Sequence, residues 1–223
     1  MPYSVYLSGT KRCALDIDNK ATLTYKMKED VTGFREVAPT RSIFEFVELI
    51  WVLKDLERSG WKYHKVSGIM ETTASHTFGV MVLTWLFARK EHADEDRALK
   101  MALVHDLVES VIGDLTPHDA EVVNKSELEE EGMRAVEAKL PVQLRKEILS
   151  LTEEFRAGKS SESEIVRVCD KLDTVFQAYF YRKAKRISEA SFKEFFSYAE
   201  KVCDKDFSRE LLDQIWRAAS DKT

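Results

Sequence analysis

Apolar residues recur at three- and four-residue intervals from residue 40 onward, and that period predicts a succession of helices. Phe44, Val47, Ile50, Trp51 and Leu53 form the first stripe, which Thr40 or Ser42 can cap and which ends near Arg58-Ser59-Gly60. A second helix is predicted from about Glu71-Thr72-Thr73 through Phe87. His76, Val80, Leu83 and Phe87 share its stripe, so His76 faces the core. A third helix begins near Asp94 or Asp96, where acidic residues suit the helix dipole, and runs to Ile112. The next, from Ala120 to Leu140, carries Glu127-Leu128-Glu129-Glu130-Glu131 as a solvated face. Pro141 opens another, with Val142, Leu144, Ile148 and Leu151, which stops before Gly158-Lys159-Ser160-Ser161. Ser161 to Arg186 reads as the long closing helix of the core, with Ile165, Val168, Cys169, Leu172, Phe176 and Tyr179 on its main stripe. Phe192, Phe195, Phe196 and Tyr198, then Leu211, Leu212, Ile215 and Trp216, predict two terminal helices.

Residues 1–40 follow a different rule. Val5-Tyr6-Leu7, Ala14-Leu15-Asp16-Ile17 and Ala21 to Met27 alternate or carry β-branched residues, and Ser8-Gly9 and Asp18-Asn19 are turn signals, so a short β-hairpin is expected there. The chain thus divides into an N-terminal extension, 1–40, and a helical domain, 41–223. With no internal repeat and no sustained heptad, the domain is expected to be an all-α compact bundle.

Composition agrees with one soluble helical domain: of 223 residues, 44% are apolar and 33% charged, with only 8 Gly and 4 Pro. A net charge of -5 argues against a binder of polymeric nucleic acid, which needs a basic face. The apolar run from Gly79 to Ala88 is too short to span a bilayer, so no membrane partner is expected and the compartment is read as cytoplasmic. Cys13, Cys169 and Cys203 form no Cys-x-x-Cys pair and predict reduced, structural thiols.

The chemistry concentrates in Ala102 to Pro117. On a helix His105 and Glu109 lie one turn apart with Asp106 beside both, before Gly113 and Pro117 stop the pattern. Burying an imidazole and carboxylates without compensation costs several kcal/mol, roughly, and a divalent cation supplies that compensation. A lone His-Asp pair is more often a satisfied core pair, so a second set of ligands is needed. His76 is inward-facing one helix earlier, and Asp170 and Asp173 fall together on a separate side of the closing helix. Periodicity does not choose between these two carboxylates. Trp61, just past a helix end, either covers the core edge or borders a pocket.

The ordered set Arg58-Ser59-Gly60-Trp61, Glu71-Thr72-Thr73-Ala74-Ser75-His76, Leu103-Val104-His105-Asp106-Leu107-Val108-Glu109, Gly113-Asp114-Leu115-Thr116-Pro117 and Val168-Cys169-Asp170-Lys171-Leu172 resembles the HD-domain phosphohydrolases, in their 5′-deoxynucleotidase branch. The resemblance spans about residues 41–200. It implies an all-α fold, a homodimer, and one divalent ion (Co, Mn, Zn, Ni, Fe or Mg) held by His76, His105, Asp106 and Asp170. By the same resemblance Glu109 is the acid/base, Asp114 contacts the sugar 3′-hydroxyl, Trp61 helps exclude a 2′-hydroxyl, and Arg58 with Lys125 holds phosphate. Two departures stand out. Ser75 replaces the acidic residue that usually precedes the first metal-binding histidine, and Ser59 and Gly60 intervene between Arg58 and Trp61.

The resulting expectation is a metal-dependent phosphomonoesterase that releases phosphate from small-molecule (2′-deoxy)nucleoside 5′-monophosphates. An HD-type phosphodiesterase or nucleoside-triphosphate hydrolase, and a non-catalytic metal-binding interaction protein, are the alternatives. Phe192, Phe195 and Phe196 either join two copies or complete a monomer's core.

Overall fold

The computed structural model describes residues 39–116 and 124–220. In chain order these form α1 (Pro39–Asp55), α2 (Ser59–Tyr63), α3 (Thr73–Lys90), α4 (Glu95–Val104), α5 (Glu109–Ile112), α6 (Lys125–Lys139), α7 (Val142–Ala157), α8 (Ser161–Lys183), α9 (Glu189–Glu200) and α10 (Asp206–Ser220). Among the described residues there is no strand, as the all-α expectation requires; the predicted N-terminal hairpin lies outside them.

Local chemistry sets the helix starts. Thr72 caps α3 by accepting from the Ser75 backbone while the Ser75 side chain accepts from the Thr72 backbone, a reciprocal capping box, and Ser160 and Ser163 repeat the device on α8. Asp94 accepts from the Arg97 backbone at 3.0 Å to start α4. Gly158, at φ 62°, ends α7 in the left-handed conformation that a side chain disfavours.

Two hydrophobic clusters share one helix. The first joins Leu49 and Leu53 of α1, Val80 of α3, Met101 of α4, Val136 of α6, Leu151 of α7 and Val166 and Cys169 of α8. The second joins Trp61 of α2, Leu172 and Val175 of α8, Phe192 and Phe196 of α9 and Phe207 and Ile215 of α10. α8 therefore packs against α3, α4, α7, α9 and α10, and is covered on two faces by apolar neighbours. Phe192 and Phe196 complete this core as interior residues, and Trp216, itself exposed, stacks on Phe192 from outside.

The expected third helix does not run unbroken to Ile112. α4 stops at Val104, and residues 105–108 form tight turns in which the Leu107 N–H donates to the Val104 carbonyl at 3.1 Å and the Glu109 N–H to that of Asp106 at 3.0 Å. One cause is local: the Ala102 carbonyl accepts from the His105 ring at 2.7 Å. His105 and Glu109 are thus set by this turn rather than by the 100° spacing of a continuous helix. A second local device lies between α1 and α3. An isolated antiparallel bridge pairs Glu57 with Thr72, the Thr73 N–H donates to the Leu56 carbonyl at 2.8 Å, and the Arg58 N–H to that of Glu71 at 3.0 Å. These bonds tie the α1–α2 connection to the first turn of α3, and so bring Arg58 beside His76.

Candidate metal centre

The centre is assembled at the meeting of α3, the turn after α4, and α8. His76 comes from the first turns of α3, His105 and Asp106 from the turn, and Asp170 from α8. Ligand atoms of His76, His105 and Asp170 all lie within 4.8 Å of one another. Asp106 Oδ2 is 3.1 Å from His105 Nε2 and 3.8 Å from His76 Nε2, and Asp170 Oδ1 is 3.2 Å from His76 Nε2.

Both imidazoles are oriented from behind. His105 Nδ1 donates to the Ala102 carbonyl, and His76 Nδ1 donates to Asp173 Oδ2 at 2.7 Å. Each ring therefore turns its Nε2 toward the carboxylates, and both Nε2 atoms are buried without a hydrogen-bond partner. Leaving such an atom unsatisfied costs about 1–3 kcal/mol. Two converging imidazole nitrogens and the Asp170 carboxylate fit a divalent ion, which would satisfy both, while Asp106 lies beside this group with its Oδ2 bonded to Arg58.

Asp170 and Asp173, three residues apart on α8, bracket the same imidazole, one on each nitrogen. Both point inward, so the choice between them that periodicity left open is a division of labour. The same contact answers the absence of an acidic residue at position 75. Ser75 is exposed and its hydroxyl belongs to the α3 capping box, whereas the carboxylate behind His76 comes from α8. Asp173 reaches that place over Gly79, where a Cβ would fall 1.9 Å from its Oδ1. A glycine one turn beyond His76 in an otherwise regular helix was the sequence signal for this close approach.

Charged groups ring the cluster. Arg58 Nη1 donates to Asp106 Oδ2 at 2.9 Å, and Lys171 Nζ to Asp170 Oδ2 at 2.9 Å. Burial works against the Asp106 carboxylate, yet His105 and Arg58 outweigh it and hold its pKa below the usual carboxylate range. Burial likewise disfavours a proton on His76, as does Arg58, but the flanking carboxylates of Asp170 and Asp173 lift its pKa to about 9. Glu109 is pushed the other way from Asp106: burial, the Asp106 charge and the neighbouring Asp114 raise its pKa well above the ordinary value. Its Oε2 accepts from the Thr73 hydroxyl at 3.1 Å.

Asp114 stands at the start of α2. Its carboxylate accepts from the Ser59 N–H and its carbonyl from the Ser59 hydroxyl at 2.8 Å, which satisfies one of the free donors of that helix end. Ser59 and Gly60 thus lengthen the step from Arg58 to Trp61 while Arg58 still reaches Asp106. Trp61 is placed differently from a pocket wall. It is 1% exposed, packs edge-on to Tyr181 and tilted on Phe195, and donates its indole N–H to Glu71 Oε2 at 2.9 Å. Its position is that of a core residue. Lys125 opens α6, and its side chain lies outside the described ones. Thr73 and Lys171 were not singled out from the sequence, where a threonine at a helix start and a lysine beside an aspartate carry no distinctive signal, and Ser59 was noted there only as a departure in spacing.

Residues 51–211 match the HD domain family model, a span that includes every group just described. The chain belongs to the HD-domain family. Among its relatives, the 5′-deoxynucleotidase HDDC2 of Bos taurus is 34% identical over 142 residues, covering 63% of this chain and 68% of the relative. The enzyme of the same name from Dictyostelium discoideum is 35% identical over 147 residues, covering 62% and 77%. The crystal structure of the PH0347 protein of Pyrococcus horikoshii OT3 superposes with a TM-score of 0.66 at 30% identity, covering 78% of this chain and 98% of that one. In this HD-domain chain His105-Asp106 lies on the turn rather than on the body of a helix.

Proposed function

We propose that this chain is a metal-dependent phosphohydrolase that converts 2′-deoxynucleoside 5′-monophosphates to nucleoside and phosphate. One observation carries the reading: two buried imidazole Nε2 atoms converge on two carboxylates beside the buried carboxyl group of Glu109. His76, His105, Asp106 and Asp170 would hold one divalent ion. Such an ion polarises a phosphoryl oxygen and lowers the pKa of water towards about 7. The deoxynucleotidase name of the relatives supports a nucleoside monophosphate as the substrate.

The remaining steps belong to the chain's own side chains. Arg58, bonded to Asp106, lies where it can also donate to a phosphate oxygen. Burial and its acidic neighbours raise the pKa of Glu109, which favours its protonated form and suits it to protonate the departing 5′-oxygen, a contribution of about 10²- to 10⁴-fold. Thr73 orients it. Asp114, held by Ser59, is a hydrogen-bond acceptor for the sugar 3′-hydroxyl. Trp61 supports α2, which carries Ser59, from within the core, where it bonds Glu71. Lys125 is retained as a second phosphate contact on resemblance alone.

The protein is further read as a homodimer. Phe44, Val47 and Trp51 on α1, and Phe78, Val82, Trp85 and Leu86 on α3, expose apolar faces opposite the buried sides of those helices. A cytoplasmic setting suits the buried, unpaired thiols of Cys169 and Cys203, and no described helix is long and apolar enough to cross a membrane.

The test is phosphate release from a panel of deoxy- and ribonucleoside 5′-monophosphates by metal-stripped protein resupplied with Co²⁺, Mn²⁺, Zn²⁺ or Mg²⁺. Metal-dependent release favouring the deoxy series, lost in Asp106→Ala and Glu109→Ala, is expected. Turnover of triphosphates or diesters alone overturns the substrate, and metal binding with no hydrolysis of any of the three classes overturns the enzymatic reading.

A further inference from the structure

Each carboxylate of the candidate centre carries a cation on its outer side. Asp106 is paired with Arg58 at 2.9 Å and Asp170 with Lys171 at 2.9 Å. The two cations differ in setting. The Arg58 side chain is 16% exposed, whereas that of Lys171 is 42% exposed over an Asp170 that is 15% exposed. Lys171 is thus a rim residue: it bonds Asp170 Oδ2, while Oδ1 of the same carboxylate faces His76 Nε2.

We propose that Lys171 is a phosphate-binding residue, the counterpart of Arg58 on the opposite ligand carboxylate. The argument is one of charge and of free donors. Without an ion, Asp106 with Arg58 and Asp170 with Lys171 form two neutral pairs. A divalent ion bound between the carboxylates adds two positive charges, which the dianion of a phosphate monoester matches. The Lys171 ammonium has three N–H donors and its contact with Asp170 uses one, so it can keep that bond and donate to an oxyanion that arrives beside the carboxylate. A charge-assisted bond of this kind is worth about 10- to 100-fold in affinity when the partner is desolvated. Lysine serves here as a point charge, in contrast to the planar fork of Arg58, which is more enclosed and bonds Asp106.

This inference rests on the phosphohydrolase reading, and its test separates the two. Full-length protein loaded with Mn²⁺ is titrated with inorganic phosphate by calorimetry, for the wild type, Lys171→Gln and Lys171→Arg, and Mn²⁺ affinity is measured separately for each. Expected is a loss of phosphate affinity of roughly tenfold or more in Lys171→Gln at saturating metal, recovery of most of it in Lys171→Arg, and Mn²⁺ affinity within about threefold throughout. A matching rise in KM with little change in kcat is expected in turnover. Phosphate affinity unchanged in Lys171→Gln overturns the proposal, as does a wild type that binds no phosphate. So does a loss of Mn²⁺ affinity large enough to account for the phosphate effect, which would make Lys171 a support for Asp170 alone. A wild type that binds phosphate through Lys171 yet hydrolyses no 5′-monophosphate sinks the substrate reading and leaves this one standing.

Discussion

Asp173 holds His76 from behind, its Oδ2 2.7 Å from Nδ1, so that the opposite nitrogen of the ring faces the metal-binding side. The approach requires a bare backbone at position 79, where a Cβ would fall 1.9 Å from the Asp173 carboxylate. Helix propensity alone favours Gly79→Ala by up to about 1 kcal/mol. The clash is with a side chain that cannot withdraw without releasing His76, so it wins. Gly79→Ala and Asp173→Asn are each expected to weaken metal binding by roughly 10- to 100-fold. Competition with a chromophoric chelator measures it, and unchanged affinity in both variants would show that His76 needs no such support.

Ser75 lies outside this support. Its side chain belongs to the α3 capping box with Thr72 and is exposed. Ser75→Ala should cost about 0.5–1 kcal/mol of stability and leave metal affinity unaltered, and Ser75→Asp should not tighten metal binding. A tenfold gain in metal affinity with aspartate there would contradict the assignment of that role to Asp173.

Glu109 ties activity and stability to pH with a definite sign. Its pKa is raised in the folded protein, by burial first and then by Asp106 and Asp114, above the value of about 4.3 for a free carboxyl. The folded state therefore holds this proton more tightly than the unfolded one. Its stabilising effect is complete below the unfolded pKa and is lost as pH rises through the folded one. Glu109→Gln, which cannot ionise, should be more stable than the wild type at alkaline pH in metal-free thermal unfolding, the gap closing as the pH falls toward about 4. The wild-type kcat should fall on the alkaline side as the proton is lost. A gap that widens on acidification would reverse the assignment.

The outer faces of α1 and α3 predict the oligomeric state. Trp51→Glu with Phe78→Glu, at positions 58% and 70% exposed, should leave the fold intact and yield a monomer by light scattering where the wild type is a dimer. A monomeric wild type would remove the dimer.

Much of this was legible in the chain. The three-and-four period placed the long helices within a few residues, because each buries one continuous stripe. His76 was legible for the same reason: it shares that stripe with Val80. The turn at 105–108 was not, because Leu103 to Val108 is as apolar as a helix and the bond from the His105 ring to Ala102 leaves no mark in the sequence. Trp61 and Phe192 show a further limit. Apolar periodicity says that a residue is covered but not by what, so Phe192 read equally well as core or interface, and only the packing of α10 against it decides. The roles of Asp170 and Asp173 needed a third dimension as well, since they differ only in which nitrogen of one ring each meets.

The helix that carries both of these aspartates is gripped by two hydrophobic clusters, through Val166 and Cys169 on one side and Leu172 and Val175 on another. The position of α8 is therefore fixed by packing that no ion contributes to. Chelation should therefore leave the helices folded, and a metal-stripped protein should take up its ion again without first having to refold.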